Sequence, residues 1–323
     1  MLKIGNLKLS LPFILAPMSG VTDLPFRLIN RKFGCELAFV EMINVRSLSY
    51  KSKRTERMLS ADKKDRPLGI QLLGSEPQFI LRGMDVLNKY KFDILDFNAA
   101  CPEKKVTRRG EGASLLKEPK KLNQLLKLIV HNSKVPVTVK IRTGWDRNSI
   151  NAKELALYAQ DAGVKALFLH GRTKAQGYHG NVDYTTIRKV KKALSIPVIA
   201  SGDIFSCELA KKMLEETGCD GVLVARGALG NPWIFRELSS FFTNGRTLKR
   251  PDIDEIGKVM LEHLNLCLDF YGPRIGVIIF RKFFSWYTKG HSATRILRKN
   301  ACRAKTPQEL IRIIEEFQQK GKK

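Results

Sequence analysis

The stretch DFNAACPEKKVTRRGEGASLL, residues 96–116, ends an apolar run on Asn98 and Cys101 and follows its Cys-Pro step with Lys104, Lys105, Arg108 and Arg109. A lone thiol beside a cationic, glycine-containing loop invites a chemical role. Small or polar residues close other short apolar runs in the same way. In chain order the endings are Pro17-Met18-Ser19, Glu41, Gln71, Asn98 with Cys101, Lys140 with Arg142, His170 with Arg172, Ser201-Gly202-Asp203 and Ala225-Arg226-Gly227. The last two suit a phosphate. Gly202 and Gly227 let backbone approach an anion closely, and the Arg226 guanidinium can grip it with two parallel bonds. The plainer alternative is a pair of tight turns. Lys140, across the site from such a phosphate, would stand where a buried cation stabilises the reduced anion of a flavin at its N1–C2=O edge. Gln71 would then meet the ring edge and His170 the pyrimidine side. Taken singly each has a structural alternative: Lys140 paired with a carboxylate, Gln71 wet at a rim, His170 satisfied in a core.

The elements that must carry these residues follow from the pattern. Apolar, β-branched runs recur at 13–18, 37–42, 67–74, 92–98, 136–144, 166–173, 197–203 and 221–228, separated by helical segments such as NQLLKLIVHNS and ELALYAQDAG. Continuous apolar strands alternating with helices imply a parallel sheet covered on both faces. Eight such units in about 230 residues fit a (β/α)8 TIM barrel, whose reactive groups stand at strand C-termini. The competing doubly wound sheet usually has fewer strands, and no GxGxxG follows the first run. DAGVKALFLHGR and ETGCDGVLVARG repeat one scheme: a helix-end glycine, a turn, and a strand closing on Gly-Arg or Arg-Gly.

After NPWIFRELSSFF the texture changes: TNGRTLKRPD reads as a linker, and only helical periodicity follows. The expected organisation is a catalytic barrel over residues 1–243, a linker over 244–251 and a small, basic, all-α domain over 252–323. From Tyr271 onward 13 Lys and Arg face 3 acids. In FRKFFSWYTKGH, Phe280, Phe284 and Tyr287 share a helical face that Arg281 and Lys282 flank. An ordinary packing helix explains the aromatics equally well, but not the surplus that continues through TRILRKNACRAK. Over the whole chain 57 Lys and Arg oppose 31 Asp and Glu, a formal charge of +26. That imbalance favours a polyanionic partner, nucleic acid, over a merely solvated basic surface. The six cysteines show no metal-ligand spacing and no disulfide framework, so no metal site is expected. No apolar run approaches the roughly 18 residues of a membrane span, and the first residues lack a signal-peptide pattern. A cytoplasmic protein without membrane attachment is expected.

LAPMSGVTDLPFR, QLLGSEP, the Cys-Pro stretch above, VKIRTGW, LHGRTKAQGYHG, PVIASGDI and ARGALGNPWIF follow one another as in the bacterial tRNA-dihydrouridine synthases. The chain resembles that family over nearly its whole length, and FRKFFSWY is most like its B-type branch. The resemblance implies bound FMN, NADPH as reductant, and reduction of particular uridines in tRNA to 5,6-dihydrouridine. It assigns FMN to Pro17, Met18, Ser19, Gln71, Lys140, His170 and Ser201, with the phosphate at Gly202, Asp203, Ala225, Arg226 and Gly227. Hydride would reach C6 of the uracil, and Cys101 would give the proton at C5. Asn98 would position the base, Lys104, Lys105, Arg108, Arg109, Arg142, Arg281 and Lys282 would contact RNA, and Arg172 would contact RNA or the flavin. The loop from Lys104 to Arg109 would close over the site, hinged at Gly110 and Gly112. Two positions depart from the family's pattern: Ala100 replaces the usual glycine and Ser201 the commoner asparagine. At position 100 a positive φ would bring strain. Two other functions stay open at this stage: an FMN oxidoreductase acting on another RNA or a free pyrimidine, and a flavin-bearing RNA-binding protein without catalysis. A monomer with no obligate protein partner is expected.

Overall fold

The computed structural model describes residues 1–292 and 294–320; position 293 and residues 321–323 of the expected helical domain lie outside the described residues. Strands β1 (Leu2–Ile4) and β2 (Leu7–Leu9) form an antiparallel hairpin. Eight parallel strands follow: β3 (Phe13–Leu15), β4 (Leu37–Asn44), β5 (Leu68–Leu73), β6 (Ile94–Asn98), β7 (Val137–Arg142), β8 (Ala166–His170), β9 (Val198–Ser201) and β10 (Gly221–Val224). They pair in chain order, and β10 pairs with β3 to close the barrel. Each expected apolar run contributes one of these strands. The hairpin ahead of them was not foreseen.

Period-two alternation explains how one strand serves both core and site. On β7, Val137, Val139 and Ile141 face outward into the core shared with the helices, which leaves Thr138, Lys140 and Arg142 on the inner wall. On β6 the outward residues are Leu95 and Phe97, and Asp96 and Asn98 point inward. The inner wall is apolar toward the strand N-termini. There Ile14, Leu37, Phe39, Ile94, Phe168, Ile199 and Leu223 form a second core with Leu2, Ile4 and Leu9 of the hairpin. The hairpin thus plugs that end of the barrel. Higher up, the wall turns polar, so the inward-facing groups converge on the opposite mouth.

After β10 a short 3-10 helix, Arg226–Ala228, leads to helix Ile234–Asn244, which ends at Gly245 in the left-handed conformation. Four helices end the described chain: Ile253–Tyr271, Pro273–Tyr287, Arg295–Arg303 and Pro307–Lys320. Phe280, Phe283, Phe284 and Tyr287 are buried in the core that these helices share with the barrel's outer layer. The Tyr271 hydroxyl donates to Asp23, and the Trp233 indole N–H donates to Glu255, each tying the helical part to the barrel side. No helix among the described residues is long and apolar enough to cross a membrane.

Candidate active site

Strand ends and the loops after them enclose a cavity of about 520 Å3 at the C-terminal mouth of the barrel. Pro17, Met18 and Ser19 follow β3; Gln71, Lys140, His170 and Ser201 stand on β5, β7, β8 and β9; Gly202, Asp203, Ala225, Arg226 and Gly227 belong to the last two loops. All twelve line the cavity, as do Asn98, Cys101, Lys105 and Arg142. Lys104, Arg108 and Arg109 do not line it; they are exposed on the segment beside it.

The turn that presents Cys101 is held from several sides. The Asn98 carboxamide oxygen accepts the backbone N–H groups of Ala100 and Cys101, both at 2.9 Å. Its amide nitrogen donates to Gln71 Oε1 at 2.8 Å and to the Met42 sulfur at 3.1 Å. Asn98 is therefore engaged with the protein's own turn while it lines the cavity. Gly112 lies against the same turn at φ +59°, and a Cβ there would come within 2.8 Å of the Cys101 carbonyl oxygen. Ala100 has no positive φ, so its extra methyl carries no left-handed strain. The segment after Cys101 is also more structured than expected. Helix Lys104–Thr107 and 3-10 helix Gly112–Lys117 flank Glu111, which accepts from Asn44 at 3.1 Å and pairs with Arg109 at 2.9 Å.

Burial pushes the Cys101 thiol above its ordinary pKa, against the opposing pull of the Arg142 and Lys140 charges. Lys140 is drawn down to about 8 by burial, with Asp96 pulling the other way, and burial raises Asp96 itself to about 6. Burial also holds His170 neutral, helped by the surrounding cations. His170 Nδ1 meets Ser201 Oγ at 3.2 Å, while its buried Nε2 has no partner. Serine at position 201 thus serves as the imidazole's partner.

Two arginines expected to touch RNA are built into the wall. Arg142 donates to the carbonyls of Ala100, Thr173 and Gly177 at 2.8, 3.0 and 2.7 Å. Arg172, 2% exposed, donates to the carbonyls of His179 and Gly180 and pairs with Asp203. Together they stitch the loop 173–180 that presents Tyr178. Tyr178 also lines the cavity, with Arg142 and Arg226 at 5.5 and 5.0 Å from its ring centre. The sequence reading missed it, although an aromatic in LHGRTKAQGYHG after a strand end was a signal. Asp203 takes φ +53°, and its carboxylate is held low by the hydrogen bond from Arg172, with Arg226 adding a second bond at 2.7 Å. Arg281 donates to the Ala304 carbonyl, so it pins helix to helix. Lys282 donates to the Gly20 carbonyl, one residue beyond Ser19 of the cavity wall.

A barrel with this mouth defines a class of enzyme, and the model of the dihydrouridine synthase family matches residues 14–322. The chain belongs to the dihydrouridine synthase family. It is 40% identical over 298 residues to tRNA-dihydrouridine synthase B of Vibrio vulnificus, covering 92% of each chain. The tRNA-dihydrouridine synthase B of Vibrio cholerae is 37% identical over 316 residues, 98% of each chain. That of Pseudomonas aeruginosa is 40% identical over 285 residues, 88% of this chain and 86% of its own.

Proposed function

We propose that this chain reduces specific uridines of tRNA to 5,6-dihydrouridine, with FMN as bound cofactor and NADPH as reductant. The convergence of Cys101, Lys140, His170 and two glycine loops on one cavity carries the reading. The residues fit a flavin mononucleotide. His170 offers a buried, unpartnered Nε2 to a polar ring edge. A Cβ on Gly227 would stand 2.0 Å from the Ile204 carbonyl oxygen, so the backbone there runs too close for any side chain. Gly202, Asp203, Arg226 and Gly227 would hold the phosphate. Asp203 would serve through its backbone, since Arg172 and Arg226 neutralise its carboxylate.

FMN, once reduced, supplies the hydride that adds at C6 of uracil. Cys101 completes the addition by giving its proton to C5, and burial keeps that thiol protonated at neutral pH. Lys140 holds a positive charge at the ring edge, and Tyr178 offers a face against which the flipped base can pack. Extruding the nucleotide costs a few kcal/mol, less from a tRNA loop than from a duplex. Exposed Lys104, Lys105 and Arg108 would meet RNA phosphates beside the mouth. The basic helices of residues 252–323 would form a tRNA-binding domain that grips by shape and charge. We take the protein to act in the cytoplasm as a monomer.

The test is expression in cells stripped of their own dihydrouridine synthases, with dihydrouridine mapped position by position and Cys101→Ala in parallel. The expected result is dihydrouridine at defined tRNA positions, lost in the variant. A yellow protein that leaves tRNA unmodified but reduces free uracil would overturn the RNA assignment.

A further inference from the structure

The hydrogen bonds beneath Cys101 end on Asp96, the carboxylate that opens the Cys-Pro stretch and has so far been given no role. Asp96 is fully buried on β6, between Gln71 of β5 and Thr138 of β7, its paired neighbours in the sheet. Its two oxygens accept Gln71 Nε2 and Thr138 Oγ1, both at 2.7 Å. Gln71 Oε1 then accepts Asn98 Nδ2, and Asn98 Oδ1 accepts the two N–H groups that lead into Cys101. We propose that Asp96 is a positioning residue for the acid: through Gln71 and Asn98 it fixes the Ala100–Cys101 turn and so the direction of the thiol.

The polarity of the chain supports this. An ionised carboxylate only accepts and a backbone N–H only donates, so each carboxamide between them has one satisfying orientation. Reversing Gln71 would set oxygen against oxygen at Asp96 and nitrogen against nitrogen at Asn98. The remaining sides of the turn are pinned by Arg142 Nε on the Ala100 carbonyl at 2.8 Å and by the Ala113 N–H on the Cys101 carbonyl at 3.0 Å. With both carbonyls and both N–H groups held, rotation about the Cα–Cβ bond is the freedom left to the thiol. Asp96 meets this relay from the rigid barrel wall, where placement is more accurate than on a loop. An apolar side chain would fill the same position without desolvating a charge, as Ile94 does one inward position below. Its charge also acts on buried Lys140, but its two hydrogen bonds go to Gln71 and Thr138 and so to the relay.

The inference rests on Cys101 as proton donor, and the experiment separates the two. In purified full-length Asp96→Ala, the alkylation rate of Cys101 by iodoacetamide, followed by peptide mass against exposed Cys302, is expected to change at least about fivefold as the turn relaxes. Single-turnover formation of dihydrouridine by pre-reduced protein is expected to fall about 100-fold, while flavin reduction by NADPH stays within about threefold. Asp96→Asn can still offer oxygen to Gln71 and nitrogen to Thr138, and should recover most of both losses. An unchanged alkylation ratio and turnover in Asp96→Ala overturns the proposal, and so does equal damage from Asp96→Asn. Should Asp96→Ala fail to fold, Thr138→Val frees one carboxylate oxygen, and an alkylation ratio that does not move overturns the proposal as well. If Cys101→Ala keeps full turnover, the acid assignment falls instead, and the alkylation ratio still decides whether Asp96 holds the turn.

Discussion

Replacing Arg172 by methionine discriminates between a wall residue and an RNA contact. The side chain is 2% exposed, and its partner carboxylate on Asp203 is 34% exposed. Breaking a fully buried ion pair by removing one partner costs about 3–5 kcal/mol. Here Asp203 keeps Arg226 at 2.7 Å and reaches solvent, and the carbonyls of His179 and Gly180 belong to exposed residues that water can satisfy. The discounted loss is about 2–3 kcal/mol, which for a chain of this size lowers Tm by roughly 3–5 °C. Because Asp203 sits in a left-handed conformation next to Gly202, freeing its carboxylate should also loosen the loop assigned to the cofactor phosphate. Flavin affinity is expected to drop about tenfold, equivalent to about 1.4 kcal/mol. The assays are a thermal melt, a fluorescence titration with FMN, and steady-state KM for tRNA. An unchanged melt and FMN affinity with a raised KM for tRNA would refute the reasoning and restore Arg172 to the RNA interface.

Gly227→Ala should lower Tm and yield protein that purifies without yellow colour, because its Cβ would meet the Ile204 carbonyl at 2.0 Å. Turnover should show an alkaline limb near pH 8: as pH rises through the Lys140 value of about 8 the cation is lost, while the thiol, raised by burial, keeps its proton. The residual activity of Cys101→Ser should keep that limb in place; a limb that moves would assign it to the thiol. Lys282→Ala removes the donor to the Gly20 carbonyl and should weaken FMN binding about fivefold, near 1 kcal/mol, with little change in tRNA affinity at low salt. A large rise in tRNA Kd with FMN binding intact would return Lys282 to its expected role.

The barrel was legible because strands buried on both faces leave uninterrupted apolar runs, and the closed topology then brings every strand end to one mouth. That is why residues as far apart in sequence as Met18 and Gly227 could be grouped from the sequence. The hairpin was hidden by its brevity. Its signal is the alternation of LKI and LKL about Gly5, at φ +59°, with Lys3 and Lys8 outward and Leu2, Ile4 and Leu9 inward. The partners of Arg142, Arg172 and Arg281 were hidden for a different reason. Arginine type and basic context point to phosphate, whereas backbone carbonyls at 173, 177, 180 and 304 become their partners only once distant loops are folded against them. Asp96 went unassigned because its neighbours in space, Gln71 and Thr138, lie 25 and 42 residues away.

The plug at the barrel's closed end sets an order of assembly. Leu2, Ile4 and Leu9 leave the ribosome before any barrel strand, yet their seats include Phe168, Ile199 and Leu223 of the last three strands. For most of translation the hairpin has nowhere to dock, and its leucines and isoleucine remain sticky surface on a nascent chain. Seating them waits for β10 to bridge back to β3, so the contact that seals the barrel joins its first and last strands and comes late. A chaperone that shields the emerging hairpin would act on the very segment that later plugs the barrel.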